Sequence, residues 1–226
     1  MALPADDWGR WKSNIEAVEL NINDVLFDCG KTIRYVYFPI STIISFQFDY
    51  EDGASVEFAQ SGNEGLAGLF IFTSGQSTCS KAIVIAKGLA YRIPAAVMLH
   101  EFNSSGPFRR LILGYMQTMM TYASLMSACN RRHSIDQQLA KIFLINLDRA
   151  LGNDLIFTHE MIARCLGVRR EGISGAAKRM ERLGIIHYTR GNIVVLDRAK
   201  LEHVCCECYE IIKKEYTRLI PPGFAP

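Results

Sequence analysis

Alternation of apolar and polar residues dominates the first part of the chain. Phe46, Phe48 and Tyr50 alternate with polar residues, Asp52-Gly53 turns the chain, and Val56 and Phe58 resume the alternation. An Asp-Gly pair between two alternating runs predicts a β-hairpin. Lys81 to Ala86 and Leu89 to Ile93, separated by Lys87-Gly88, repeat the arrangement. Several short strands with glycine-containing turns, up to about Ile93, predict a small β-barrel or sandwich.

From about Pro107 to Leu151 the period lengthens to that of a helix. Ile112, Tyr115, Met119, Tyr122, Met126 and Cys129 are spaced 3, 4, 3, 4 and 3 apart, the spacing of an a/d seam. Such a stripe either pairs with its copy in a second subunit or packs on the chain's own β-domain. A dimer helix is the reading adopted from sequence. Leu111, Leu113 and Leu125 offer a second apolar face.

Gly152-Asn153-Asp154 interrupts the helical pattern and marks a linker. Thr158 is suited to N-cap a first helix reaching about Cys165. Leu166-Gly167-Val168 makes a tight turn, and a second helix runs from Arg169 to about Leu183, ending before Gly184. Packing two helices across so short a turn needs a small residue at the crossing (Ala163), a glycine in the turn (Gly167) and an apolar residue aimed back (Ile173). Ile162, Leu166, Val168 and Ala176 fill the remaining inward positions. Gly184 to Tyr188, Thr189 to Asn192 and Ile193 to Leu196 then read as strand, turn and strand, a wing with Arg190 at its tip. The expected organisation is a β-domain over 1–105, a dimerisation helix and hinge over 106–151, and a winged helix over 152–226.

Composition narrows the setting. Of 226 residues, 49% are hydrophobic and 21% charged, the profile of a globular protein with a sizeable core. No apolar run reaches about 18 residues, so no membrane span is expected. The first residues lack a basic start and an apolar h-region, so no signal peptide is expected. The expected location is the cytoplasm, with the 7 cysteines mostly reduced. Thr158 to Lys200 holds nine Lys or Arg against four acids, a net +5, which leaves −3 for the rest of a chain of net +2. A basic segment on a slightly acidic body points to a polyanion at that end.

The polar positions of the second helix suggest which polyanion. Arg169 and Arg170 stand where the helix dipole opposes positive charge by about 0.3–1 kcal/mol each. Gly172 and Gly175 lie inside the helix at about 1 kcal/mol each relative to Ala. A helix whose N-terminal end touches DNA would tolerate both features. Arg can bind guanine O6 and N7, Glu accepts from cytosine N4, and Gly admits close backbone approach. Arg170 and Glu171 are the primary base-reading candidates, with Ser174 one turn on. Arg169, Gly175, Lys178, Thr158 and the wing's Arg190 complete the expected double-stranded DNA interface.

With these residues in place, most of the chain resembles the Crp/Fnr superfamily of bacterial transcription regulators. Val36 to Pro39, Gly62 to Gly65 followed by Leu66 to Leu69, and Asp136 before Gln138 look like family landmarks. The resemblance implies an α+β fold: an N-terminal β-roll (a double-stranded β-helix like cyclic-nucleotide-binding domains), a long dimerisation helix and a C-terminal winged helix-turn-helix. It also implies a homodimer on a pseudo-palindrome, contact with RNA polymerase, and a small-molecule effector of unknown identity bound near Gly62, Glu64, Gly65, Ser80 and Lys81. Arg170, Glu171 and Ser174 fall on positions the family uses to read bases. Departures qualify this. Ser80-Lys81 stands where relatives that bind cyclic AMP place Arg-Ser, and Lys81 offers no guanidinium fork. Gly-Glu-Leu is only loosely matched around Glu64, so cyclic AMP is not expected and no cofactor is identified. Gly175 replaces a second base-reading Arg found in many members.

Cysteine chemistry adds little at this level. The N-terminal cluster of the family's iron–sulfur sensors is absent, since only Cys29 precedes Cys79. Cys205, Cys206 and Cys208 form a tight group near His203, but no spacing completes a zinc site, and no metal is expected. Two other functions stay open: a winged-helix interaction scaffold that never meets DNA, and a thiol enzyme using Cys79 or Cys165 with a nearby His.

Overall fold

The computed structural model describes residues 9–73, 75–149, 154–189 and 191–220, with Asp154 described in its backbone only. Most of the expected linker at 152–154, and Arg190 at the wing tip, lie outside the described residues.

Seven strands build the N-terminal part: β1 (Glu16–Leu20), β2 (Val25–Phe27), β3 (Tyr35–Pro39), β4 (Ile43–Asp49), β5 (Ser55–Ser61), β6 (Lys81–Ala86) and β7 (Gly88–Pro94). They form two antiparallel sheets, of order β1-β7-β3 and β2-β6-β4-β5. The Asp52-Gly53 hairpin is β4–β5, with Phe48 opposite Val56 and Gly53 at φ 82°. The second expected hairpin does not form. β6 and β7 are consecutive but belong to different sheets, so the chain crosses between layers at Lys87. Gly88 permits this crossing, because a Cβ there would lie 2.5 Å from the carbonyl of Ser41. Stacked aromatic pairs, Trp11 on Phe38 and Phe27 on Phe46, fill the interior.

Helices follow: α1 (Ala95–Ser104), α2 (Gly106–Arg132) and α3 (Ile135–Arg149). Ser105 starts α2 by accepting from Phe108 N with Pro107 in the first turn, and α2 ends where His133 turns extended. The heptad stripe of α2 is not a free dimer seam. Ile112, Tyr115, Met119, Tyr122, Met126 and Cys129 are all at most 9% exposed within the single chain. The Tyr115 hydroxyl lies 3.0 Å from Ser61 Oγ and 3.1 Å from Leu66 O, which ties the stripe to the chain's own roll. Tyr and Met suit such mixed packing better than a symmetric seam. The exposed face of α2 carries Leu113 and Met120 instead, with Met116 and Ala123 half-buried.

The C-terminal part comprises β8 (Asp154–Ile156), α4 (His159–Leu166), α5 (Arg170–Arg182), β9 (Ile186–Thr189), β10 (Asn192–Val195), α6 (Arg198–Val204) and α7 (Cys208–Leu219). The wing is a three-stranded sheet of order β8-β10-β9. Two further helices follow it. Asp197 caps α6 through Lys200 N, and α7 returns to lie along α2, where the Tyr216 hydroxyl is 3.7 Å from Met119 Sδ. No described helix is long and apolar enough to cross a membrane.

Candidate nucleic-acid interface

Local sequence explains the helical pair. The Thr158 hydroxyl accepts from Met161 N at 3.1 Å and starts α4. Gly167 takes φ 62°, the left-handed conformation that closes the turn. Ile162, Ala163, Leu166, Ile173 and Ala176 are buried between the helices, as their spacing requires. Gly184, at φ 66°, follows α5 as its stop.

The polar face of α5 is turned outward. Arg169, Arg170, Glu171 and Lys178 are exposed, and none makes an ion pair among the described residues. Arg179 differs, since its guanidinium grips Asp136 of α3 at 3.0 and 2.8 Å. The two helix glycines have different surroundings. A Cβ on Gly172 would approach Ile135 Cδ1 at 3.0 Å, so a larger residue there requires Ile135 at the start of α3 to shift. A Cβ on Gly175 would meet only Arg179 Nη1 at 3.4 Å, so packing does not demand glycine there.

Ser174 is less available than its position suggests. Its hydroxyl donates to Arg170 O at 3.1 Å and lies 2.9 Å from His159 Nδ1. His159 stacks on Tyr188 of the wing, with ring centroids 4.2 Å apart, and couples α4, α5 and the wing. Burial, then the nearby Arg170 charge, push its pKa down, which keeps the imidazole neutral near neutral pH. Sequence reading missed this residue, because a histidine at the first helical position carries no distinctive spacing.

The five expected effector residues are not gathered. Ser61, which precedes Gly62, pairs with Ile44, whereas Lys81 pairs with Gln47 on the other side of β4. Lys81 is ion-paired with Asp49, and Ser80 is buried against Thr78 Oγ1 at 2.9 Å. Glu64 is held by the buried Arg149 at 2.6 Å, and Arg149 also donates to Gln60 Oε1 at 3.0 Å. Arg149 and Glu64 fill the space beside Gly62, and the Tyr115 ring fills that beside Gly65. Lys81 and Glu64 are thus each engaged in an ion pair within the chain. A separate apolar cavity of about 240 Å³ lies between α2 and the roll, lined among others by Phe46, Phe58, Leu69, Met116 and Met120. Cys165 is buried on the Glu57 carboxylate, its thiol pushed well up by burial, which is unsuited to a nucleophile.

Comparison with known proteins agrees with this geometry. Residues 137–204 match the Crp-like helix-turn-helix domain. Three solved structures share the fold over nearly their whole length. A crp/fnr-family protein from Eubacterium rectale has a TM-score of 0.71 at 18% identity, covering 89% of this chain and 94% of that one. FixK2 from Bradyrhizobium japonicum has a TM-score of 0.71 at 16% identity, covering 85% and 98%. The c-di-GMP-responsive global regulator CLP of Xanthomonas campestris has a TM-score of 0.66 at 14% identity, covering 86% and 100%. No curated protein matches at the level of sequence. The chain therefore carries a Crp-like helix-turn-helix domain and has the fold of the Crp/Fnr regulators.

Proposed function

We propose that the chain is a sequence-specific DNA-binding transcription regulator of Crp/Fnr type, acting in the cytoplasm as a homodimer on a pseudo-palindromic site. One observation carries the reading: Arg169, Arg170, Glu171 and Lys178 stand exposed, and unpaired among the described residues, on a helix whose opposite face is locked to its partner. Unneutralised cations on a rigid helix suit phosphates and base edges, and an interaction scaffold has no need to leave them without counter-charges. The second copy docks on the exposed α2 face of Leu113, Met116, Met120 and Ala123, again spaced 3, 4 and 3. RNA polymerase is the expected further partner. An effector other than cyclic AMP is expected, because Lys81 and Glu64 are already neutralised within the chain.

Selection from random duplexes tests this. Enrichment of a two-fold-symmetric sequence, with half-sites about 34–36 Å apart, supports it. A pool that stays random at low ionic strength rejects it and leaves the scaffold.

A further inference from the structure

The fold assembles four metal-ligating side chains that sequence spacing leaves scattered. Cys129 and His133 stand one helical turn apart at the end of α2, and Cys206 and Cys208 flank the joint between α6 and α7. Their ligand atoms all lie within 4.8 Å of one another. Cys129 Sγ is 3.6 Å from Cys206 Sγ, and Cys208 Sγ is 3.7 Å from His133 Nδ1. A tetrahedral ion with Zn–S bonds near 2.3 Å sets its ligands about 3.7 Å apart. We propose that Cys129, His133, Cys206 and Cys208 form a structural zinc site that staples the end of α2 to the segment between α6 and α7.

The surroundings fit a metal better than idle thiols. His133 Nε2 is 3.2 Å from Glu207 Oε2, the carboxylate–histidine pairing that fixes a ligand imidazole with its other nitrogen on the metal. Lys141 is wholly buried and within reach of the cluster. Its ammonium lies 3.0 Å from Met126 Sδ and pairs with no carboxylate among the described residues. Three thiolates and one imidazole around a divalent ion leave a net charge of −1, which Lys141 balances. A buried ammonium with no carboxylate partner among the described residues is otherwise costly, and Lys141 acts directly on the Cys129 sulfur. All three sulfurs are buried, and with four protein ligands the site is closed, so its role is structural and not catalytic. Each thiol gives its proton to solvent as the ion binds. Cys205 is not a ligand, because its thiol donates to Cys206 O at 3.4 Å.

The test uses the untagged full-length chain, because an affinity tag of histidines would itself bind metal. Elemental analysis is expected to find one zinc per chain. Cobalt(II) added to demetallated protein is expected to give strong tetrahedral ligand-field bands and a thiolate charge-transfer band, saturating at one equivalent. Cys208→Ser should cut the charge-transfer band by about a third and weaken binding at least tenfold, and Glu207→Ala should weaken it by about 10–100-fold. Cys205→Ser should leave the spectrum unchanged. A weak octahedral spectrum, substoichiometric metal, or a Cys129–Cys206 disulfide in protein prepared with zinc would overturn the assignment. Should a ligand variant fail to fold, the wild-type spectrum and stoichiometry decide alone.

Discussion

The thiol of Cys165, in the first helix of the helix-turn-helix, lies 3.2 Å from the Glu57 carboxylate on β5. The contact joins the helix-turn-helix to the roll, and Glu57 is buried with Oε1 unpartnered among the described residues. Burial raises the Glu57 pKa above its ordinary 4.5, against the smaller pulls of Ser45, Gln60, Cys165 and Arg149. A raised folded pKa means that the folded chain holds the proton more tightly. Stability from this group is therefore full below the unfolded value and is lost as pH rises through the folded one. Glu57→Gln should melt higher than wild type at neutral pH, with the gap closing in acid. Thermal melts across a pH series check this, and a gap independent of pH would refute it.

Arg170 and Lys178 should fail in different ways. Arg170→Ala is expected to lose about 1–3 kcal/mol, confined to one base position of the selected site. Lys178→Ala is expected to weaken all sequences alike and to reduce the salt slope by about 1. Fluorescence anisotropy with single-base variants over a salt series separates the two outcomes.

Two local devices position α5. Thr158→Ala removes the cap of α4 and should cost about 0.5–2 kcal/mol. Gly167→Ala places a side chain at φ 62° and should cost about 1–2 kcal/mol, with specificity intact in the folded fraction. Chemical denaturation reads both, and equal stability to wild type would contradict the turn geometry.

The two faces of α2 can be told apart by mutation. Met120→Lys, on the exposed face, should abolish association while leaving the monomer folded. Tyr115→Phe, on the buried stripe, should cost about 1 kcal/mol of stability through its lost hydrogen bond, without changing association. Sedimentation equilibrium reports association, and a Tyr115→Phe monomer would restore the stripe as the seam.

Local pattern made the helix-turn-helix readable, because Thr158, Ala163, Gly167 and Ile173 act within one short stretch. Asp52-Gly53 was readable for the same reason. What escaped depended on distant partners. Lys87-Gly88 looks like a hairpin turn, and only the approach of Ser41 makes it a crossing between sheets. The α2 stripe has seam spacing whichever surface covers it, and Ser61 and Leu66 decide which. Gly172 suggested a close approach to DNA but faces Ile135. The final helices were legible in principle, since Asp197 is a good cap and Tyr209, Ile212, Tyr216 and Leu219 follow helical spacing.

Gly172 against Ile135 and the Arg179–Asp136 fork have a mechanical consequence. They hold α5 against the start of α3. The break between α2 and α3 falls at His133, which is extended, and Ser134. Any rearrangement of the helix-turn-helix against the roll would have to break both the Arg149–Glu64 ion pair and the Cys165–Glu57 contact, which together span the two.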